Sequence, residues 1–453
     1  MISIKSIEIF QLFGTFNHKI EFSQDDDLTI LLGQNGIGKT AILRLLNMIF
    51  NHQLSRLTDI PFQEAVIEFY DNKKICIELS KGSIDEVQDY EISNGEFLLS
   101  TSCNRIAEKV KDALKSVKNY ISENFKNDDE IWIDRNTGVW MTSEELVWKC
   151  YEEHPSWLID VEDIYPVWLY QIIDECHFLF IKTQRLQTDV YSVNVGRVVP
   201  RNLLEHQNTL RLYADEMKIR LQKLQQEYGQ KAAELDQSYP YRLVDNFEDM
   251  VFSKAELTSS SKMLEALDEK REQLVDAGLL NRTQWQSRQL NTNFKSAYAL
   301  KAITLYIADT KEKFAIFNDE LKRIELFRKL INERFLKKEI TVNASDGFLV
   351  RSTITGSEIP LERLSSGEQH LLVQYFSLIF RLKEGTVVLI DEPEISLHVS
   401  WQKRYISEMM KIVKLNRMKV IIATHSPTLI GKYWAMTKEL DKHIEGNGEK
   451  SEG

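Results

Sequence analysis

The sequence is poor in several features that would mark its class at once. Its 453 residues include only four cysteines. Cys76, Cys103, Cys150 and Cys176 are widely scattered with no C-x-x-C pair, which argues against a zinc site and a disulfide framework and suits a reducing cytoplasm. No apolar run approaches the roughly 18 residues of a membrane span. The start, Met1-Ile2-Ser3-Ile4-Lys5, alternates like a strand and has no basic region leading an apolar core, so neither export nor anchoring is expected. Bulk positive charge is missing too. A formal net charge of -11 excludes a chain that coats nucleic acid through overall basicity and leaves room only for a local basic patch.

What is present fits a folded protein. Hydrophobic residues at 43% and charged residues at 28% are near globular averages, and the length suggests two or three units. Only the end looks different. From Glu445 to Gly453 there is no apolar residue to offset the entropy of ordering, so residues 441–453 read as a disordered tail.

Residues Asp27 to Leu32 read as a buried strand that runs straight into Gly33-Gln34-Asn35-Gly36-Ile37-Gly38-Lys39-Thr40. A helical pattern through Ile42, Leu43, Leu45, Leu46 and Met48 follows, giving the strand, loop and helix of a P-loop. The glycines let backbone N–H groups of Asn35, Gly36, Gly38 and the helix start at Ala41 turn toward phosphates. Lys39 brings positive charge to the β- and γ-phosphates of ATP, and Thr40 offers a hydroxyl to Mg2+.

A second half of the site lies far along the chain. Thr386 to Ile390 is a β-branched apolar run ending in Asp391-Glu392-Pro393, as a buried parallel strand would be with its carboxyl end facing a ligand. Asp391 suits Mg2+, and Glu392 is placed to polarise an attacking water. Leu364-Ser365-Ser366-Gly367-Glu368-Gln369 precedes an apolar helix, so its backbone donors sit at a helix start. Val420 to Thr424 is another β run, ending in His425, a residue suited to contact a γ-phosphate.

Taken in order, these motifs resemble the ABC-type ATPase heads of the SMC, Rad50 and OLD-type group. The resemblance implies an α/β head with a mixed sheet flanked by helices and an inserted helical coiled-coil arm. It also implies that Ser365, Ser366, Gly367 and Glu368 of one chain face the ATP held by another, in a head-to-head dimer that could assemble further. Glu394 to His398 would be the D-loop at that interface. The strand His177 to Ile181, followed by Thr183-Gln184-Arg185-Leu186, resembles a Q-loop, with Gln184 helping to hold Mg2+ or the water.

Between P-loop and signature, Glu64 to Ser80 alternates like a β-hairpin and Asn104 to Phe125 reads as an amphipathic helix. Trp132, Trp140, Trp148 and Trp157 read as core aromatics rather than a stacking platform for bases. Beyond Pro200, apolar residues step by three and four through Leu210, Ala214, Met217, Leu221, Leu224 and Tyr228, and again from Ile303 to Phe335. Two such segments can pair antiparallel as a short arm of about 45 Å. Acids interrupt its basic residues, so solvated faces are expected there rather than a DNA stripe, and the arm equally suits a protein partner. The expected division is therefore 1–200 for the first half of the head, with an inserted segment near 100–175, then 201–340 for the arm and 341–440 for the second half.

The stretch after His425 reads as one short helix through Leu440, too small for the TOPRIM nuclease of OLD-type proteins. The nine histidines form no paired constellation for metal-dependent cleavage, so no nuclease activity is expected from this chain alone. Over residues 1 to 50, 178 to 186 and 360 to 430, the motifs resemble the ATPase subunit of the Septu anti-phage system, with a retron-linked defence ATPase nearly indistinguishable. That likeness implies a cytoplasmic bacterial defence ATPase regulating an HNH-type endonuclease subunit, with DNA reached through the complex and no membrane. A DNA-clamping or repair motor of the SMC type is the alternative. A transporter head is disfavoured by the long insertion between Thr40 and Ser365.

Overall fold

The computed structural model describes residues 4–80, 89–95, 100–128, 131–135, 140–154, 164–181, 206–245, 254–281, 297–397 and 399–440. The chain forms two compact units, Met1–Leu204 with Arg381–Gly453, and Glu205–Phe380. The signature motif thus falls with the helical insertion, not with residues 381–440.

The first unit is built around a five-stranded parallel sheet. Its strands lie in the order Phe178–Ile181, Val387–Asp391, Lys419–Thr424, Leu28–Leu32 and Thr437–Glu439. Its inner strands are apolar without alternation because both faces are covered; Val388, Leu389, Ile390, Ile422 and Ile30 are fully buried. The helix Lys39–Phe50 packs on this sheet through Ile42, Leu43, Leu46 and Ile49, and Phe50 stacks on Phe178 with ring centroids 4.2 Å apart. The last strand is a departure from the expected helix after His425. Only Pro427–Ile430 is α-helical there, and Thr437–Glu439 pairs with the P-loop strand, because that strand needs a neighbour for its outer backbone groups.

A six-stranded antiparallel sheet carries Phe16–Glu21, Ile4–Leu12, Glu64–Phe69, Lys74–Leu79, Tyr90–Ser93 and Thr101–Ser102 in that order. The expected hairpin is its Glu64–Phe69 and Lys74–Leu79 pair. Alternation decides its faces: Ala65, Ile67 and Phe69 are buried while Glu64 and Glu68 are only partly covered.

The helix expected over Asn104 to Phe125 is two helices, Cys103–Ser116 and Lys118–Asn124, and Phe125 begins a strand. The break falls at Val117, where the buried side chain re-aims the chain. Trp148 is buried, stacked against His52, Tyr165 and Tyr170, as a core aromatic; Trp157 and the Trp140 side chain lie outside the described residues.

In the second unit the described helices are His206–Asp245, Lys254–Asp276, Ala297–Ala315 and Asn318–Asn332, besides the signature helix. The 40-residue first helix spans about 60 Å. It runs antiparallel to Ala297–Ala315: Arg242 forks onto Asp309 at 2.6 and 2.7 Å, and further back Lys313 meets Asp236 at 2.7 Å. A third helix also packs there, since Lys254–Asp276 meets Ala297–Ala315 through Arg271 and Tyr306. A three-stranded sheet, Lys338–Asn343, Gly347–Ser352 and Glu358–Ile359, leads toward the signature. The tail from 441 lies outside the described residues. Among the described residues no helix is long and apolar enough to cross a membrane.

Candidate functional site

The buried strand Leu28–Leu32 delivers the chain into a loop whose turns need glycine: Gly36 has φ +86 and Gly38 φ +103. A Cβ on Gly38 would run into the Leu12 side chain. Below the loop, buried His18 on the strand Phe16–Glu21 places Nε2 2.8 Å from the Ile37 carbonyl and pins it. The helix Lys39–Phe50 then starts from Gly38 with no side-chain cap and no acid in its first turn. Its first internal bond is Ile42 N–H to Gly38 O at 2.9 Å, so the amides of Lys39, Thr40 and Ala41 have no helical acceptor. That combination favours an anion at the helix start. Ala41 can contribute only its backbone, because its side chain is in the core, whereas Asn35, Gly36 and Thr40 are exposed.

Lys39 is buried and folded back on the loop, its Nζ donating to the carbonyls of Gly33 at 2.7 Å and Gln34 at 2.9 Å. Burial pulls its pKa below the usual lysine value, while the carboxylates of Glu392, Asp391 and Glu394 oppose that shift. Thr40 Oγ1 donates to both oxygens of Asp391, at 3.1 and 3.0 Å.

Parallel register explains the convergence. Asp391 is level with Ala423, and Thr424 with Leu32, so the carboxyl ends of three adjacent strands present Asp391, His425 and the P-loop at one edge. Glu392 follows with φ +39, a left-handed conformation uncommon for a side chain of this size, held by its N–H donating to Ala423 O at 2.9 Å. His425 is partly exposed, with Nδ1 3.3 Å from Glu394 Oε1 and 3.6 Å from Glu392 Oε1. A hydroxyl, two acidic groups and a lysine at one uncapped helix start suit a nucleotide with Mg2+.

In the second unit, Ser365 caps the helix Ser366–Phe376 in a capping box with Glu368: Ser365 N–H donates to Glu368 at 2.8 Å, and the Glu368 N–H returns to Ser365 Oγ at 3.4 Å. Ser365 and Ser366 are exposed, Gly367 partly so. Lys338 donates to both Glu368 oxygens at 2.9 Å, and with hydrogen bonding from Ser365 it keeps that carboxyl below its ordinary pKa despite burial.

Gln184 and His398 lie outside the described residues. Sequence reasoning did not single out His18 or Lys338, took Gln402 only as part of the run that resembles the Septu ATPase, and placed Glu394 only in an interface loop. For Thr424 and Glu394 the available signal was a polar side chain one or two positions from a motif, whereas His18 and Lys338 lie far from any motif in sequence. A cavity of about 430 Å³, lined in part by Asp27, Thr29, His177 and Phe178, lies at the opposite, amino ends of the strands and is not the P-loop site.

A parallel sheet whose His425 strand lies between the P-loop strand and the Asp391 strand, with a Thr–Asp pair joining the two motifs, defines an α/β P-loop ATPase domain. The chain belongs to the AAA ATPase domain family (AAA_15), which matches residues 3–430, and it is an ATPase. No curated protein matches the sequence. Among solved structures it is similar to the Smc head domain with an extended coiled coil bound to the C-terminal domain of ScpA from Pyrococcus furiosus, at 14% identity and TM-score 0.34, covering 95% of this chain and 91% of that one. The SMC head domain from Thermotoga maritima is similar at 11% identity and TM-score 0.33, covering 94% and 90%. Both are likenesses only.

Proposed function

We propose that this ATPase works as a head-to-head dimer in a bacterial anti-phage complex, hydrolysing ATP between two chains and regulating an HNH-type endonuclease subunit. The convergence of Lys39, Thr40, Asp391, Glu392 and His425 at one sheet edge carries the catalytic part of this reading. Phosphates would lie against the amides of Asn35 to Ala41, where the helix start favours negative charge. Lys39 would exchange its two loop carbonyls for phosphate oxygens. Thr40 and Asp391 would hold Mg2+, which when bound draws negative charge from the β- and γ-phosphates. Glu392 would orient the attacking water and take its proton, and His425 would contact the γ-phosphate.

The dimer reading is supported by what Ser365 and Ser366 leave exposed, and by Ile395 and Val399, large apolar side chains exposed on either side of residues 396–398. The nuclease partner is inferred from the Septu-like motifs together with the acidic net charge of -11, which disfavours independent coating of DNA. Co-purification with the product of an adjacent gene, followed by DNA cleavage with and without ATP, tests it. A stable complex that cuts in a nucleotide-dependent way is expected. A lone dimer whose ATP turnover is stimulated by duplex DNA would instead make it an SMC-type DNA motor.

A further inference from the structure

Glu394 is buried, 7% exposed, beside the catalytic acids, yet it has no place in the scheme above. Its Oε1 accepts from the Thr424 hydroxyl at 2.6 Å and from the His425 N–H at 3.1 Å, and lies 3.3 Å from His425 Nδ1. Among the described residues its Oε2 is buried with no hydrogen-bond partner. A buried carboxylate with one oxygen unpaired is costly, and an amide or a small apolar residue would pack there with less penalty. Packing alone therefore does not explain the residue.

A second side chain braces the same junction. Gln402 donates from Nε2 to the carbonyls of Glu394 and Leu397, both at 3.1 Å, and its Oε1 accepts from the Ser426 hydroxyl at 3.3 Å. The turn after Asp391 and the turn after Thr424 are thus stitched together by Glu394 and Gln402.

His425 Nδ1 can donate one hydrogen, and two carboxylates face it. Glu394 is nearer than Glu392, 3.3 against 3.6 Å, and its oxygen is already fixed by Thr424 and by the His425 amide. We infer that Glu394 is a positioning residue that holds the Nδ1–H edge of His425, which presents Nε2 outward and keeps the imidazole off Glu392. Glu392 then retains its carboxylate for the water. The inference rests on the roles given above to His425 and Glu392. A hydrogen bond at one ring nitrogen sets the direction and hydrogen placement of the other.

The test uses the full chain carrying Glu394→Gln, which keeps the size and one acceptor for the loop but removes the charge. Because charge-assisted bonds are the stronger ones, Glu392 then wins the Nδ1–H. ATP turnover should fall about tenfold or more with KM changed less than about twofold, a split that loss of fold would not give. Nitrogen NMR of the histidine-labelled protein should show the Nδ1 signal of His425 move. In a His425→Ala background, Glu394→Gln should add no further loss. Thr424→Val, which removes the bond that fixes Glu394 Oε1, should lower turnover in the same direction and serves if Glu394→Gln does not fold. Unchanged turnover and an unmoved Nδ1 signal, or fully additive losses with His425→Ala, would overturn the inference. Wild-type turnover in His425→Ala alone would instead remove the role given to His425.

Discussion

Thr40 and Asp391 are 351 residues apart in sequence, and the hydroxyl of one donates to both carboxylate oxygens of the other at 3.1 and 3.0 Å. The contact joins the P-loop helix to the third motif and brings a hydroxyl and a carboxylate to one point. Asp391→Asn should therefore raise the Mg2+ concentration needed for half-maximal turnover by about tenfold or more, while ATP binding measured in EDTA changes little. An unaltered Mg2+ titration curve would mean that the pair does not hold the ion.

Glu392→Gln should lower the rate of ATP hydrolysis by about a hundredfold or more, with ATP affinity preserved. The Lys39, Thr40 and Asp391 contacts do not involve Glu392, so binding survives while the water loses its orienting group. On size-exclusion chromatography with ATP, the variant should accumulate as a dimer. Turnover at the wild-type rate would remove Glu392 from its assigned position.

Gly38→Ala should destabilise the protein by about 1 to 3 kcal/mol and weaken ATP binding. The residue sits at φ +103, and the new methyl would press on the Leu12 side chain below the loop. Thermal melts with and without ATP check both parts. A variant that melts and binds like the parent would show that the loop relaxes without strain.

His52 gives a prediction for pH. Its ring stacks on both Trp148 and Tyr165, and burial there pushes its pKa down to about 3, against about 6.5 in an unfolded chain. Below pH about 6.5 the unfolded chain takes up a proton that the folded one refuses, so stability is lost progressively down to about pH 3. The total is of order 4 to 5 kcal/mol. Nearby Glu144 and Glu145 have pKa values raised by burial and act oppositely, adding stability as pH falls through their folded values. The comparison of interest is thus with His52→Asn, a residue that tolerates the φ of +52 at this position. The stability difference between the two proteins should shift in favour of the variant as urea melts move from pH 7 to pH 4. A difference that stays constant with pH would place the His52 titration elsewhere.

The elements of the candidate site were legible because each is local. A buried strand, a glycine loop and a helix start occupy consecutive residues from Leu28 to Phe50, and the apolar runs before Asp391 and His425 can only be interior strands. Backbone requirements and hydrophobic periodicity act over a few residues, so sequence exposes them directly. The short strand Thr437–Glu439 was not legible, since three residues with little alternation form a strand only because the edge of Leu28–Leu32 needs pairing. The break at Val117 was missed for a related reason. Helical periodicity continues through it, and a buried side chain decides where the axis turns.

Sequence by itself determined that this chain has a P-loop, a paired-acid strand, a signature turn and a histidine strand, because each follows from residue types placed side by side. Tertiary structure alone decided which of these meet. Parallel register sets Asp391 beside Ala423 and Thr424 beside Leu32, and so brings Thr40 to Asp391 and Glu394 to His425. Strand order and register arise from long-range pairing and burial, and no local stretch of sequence contains them.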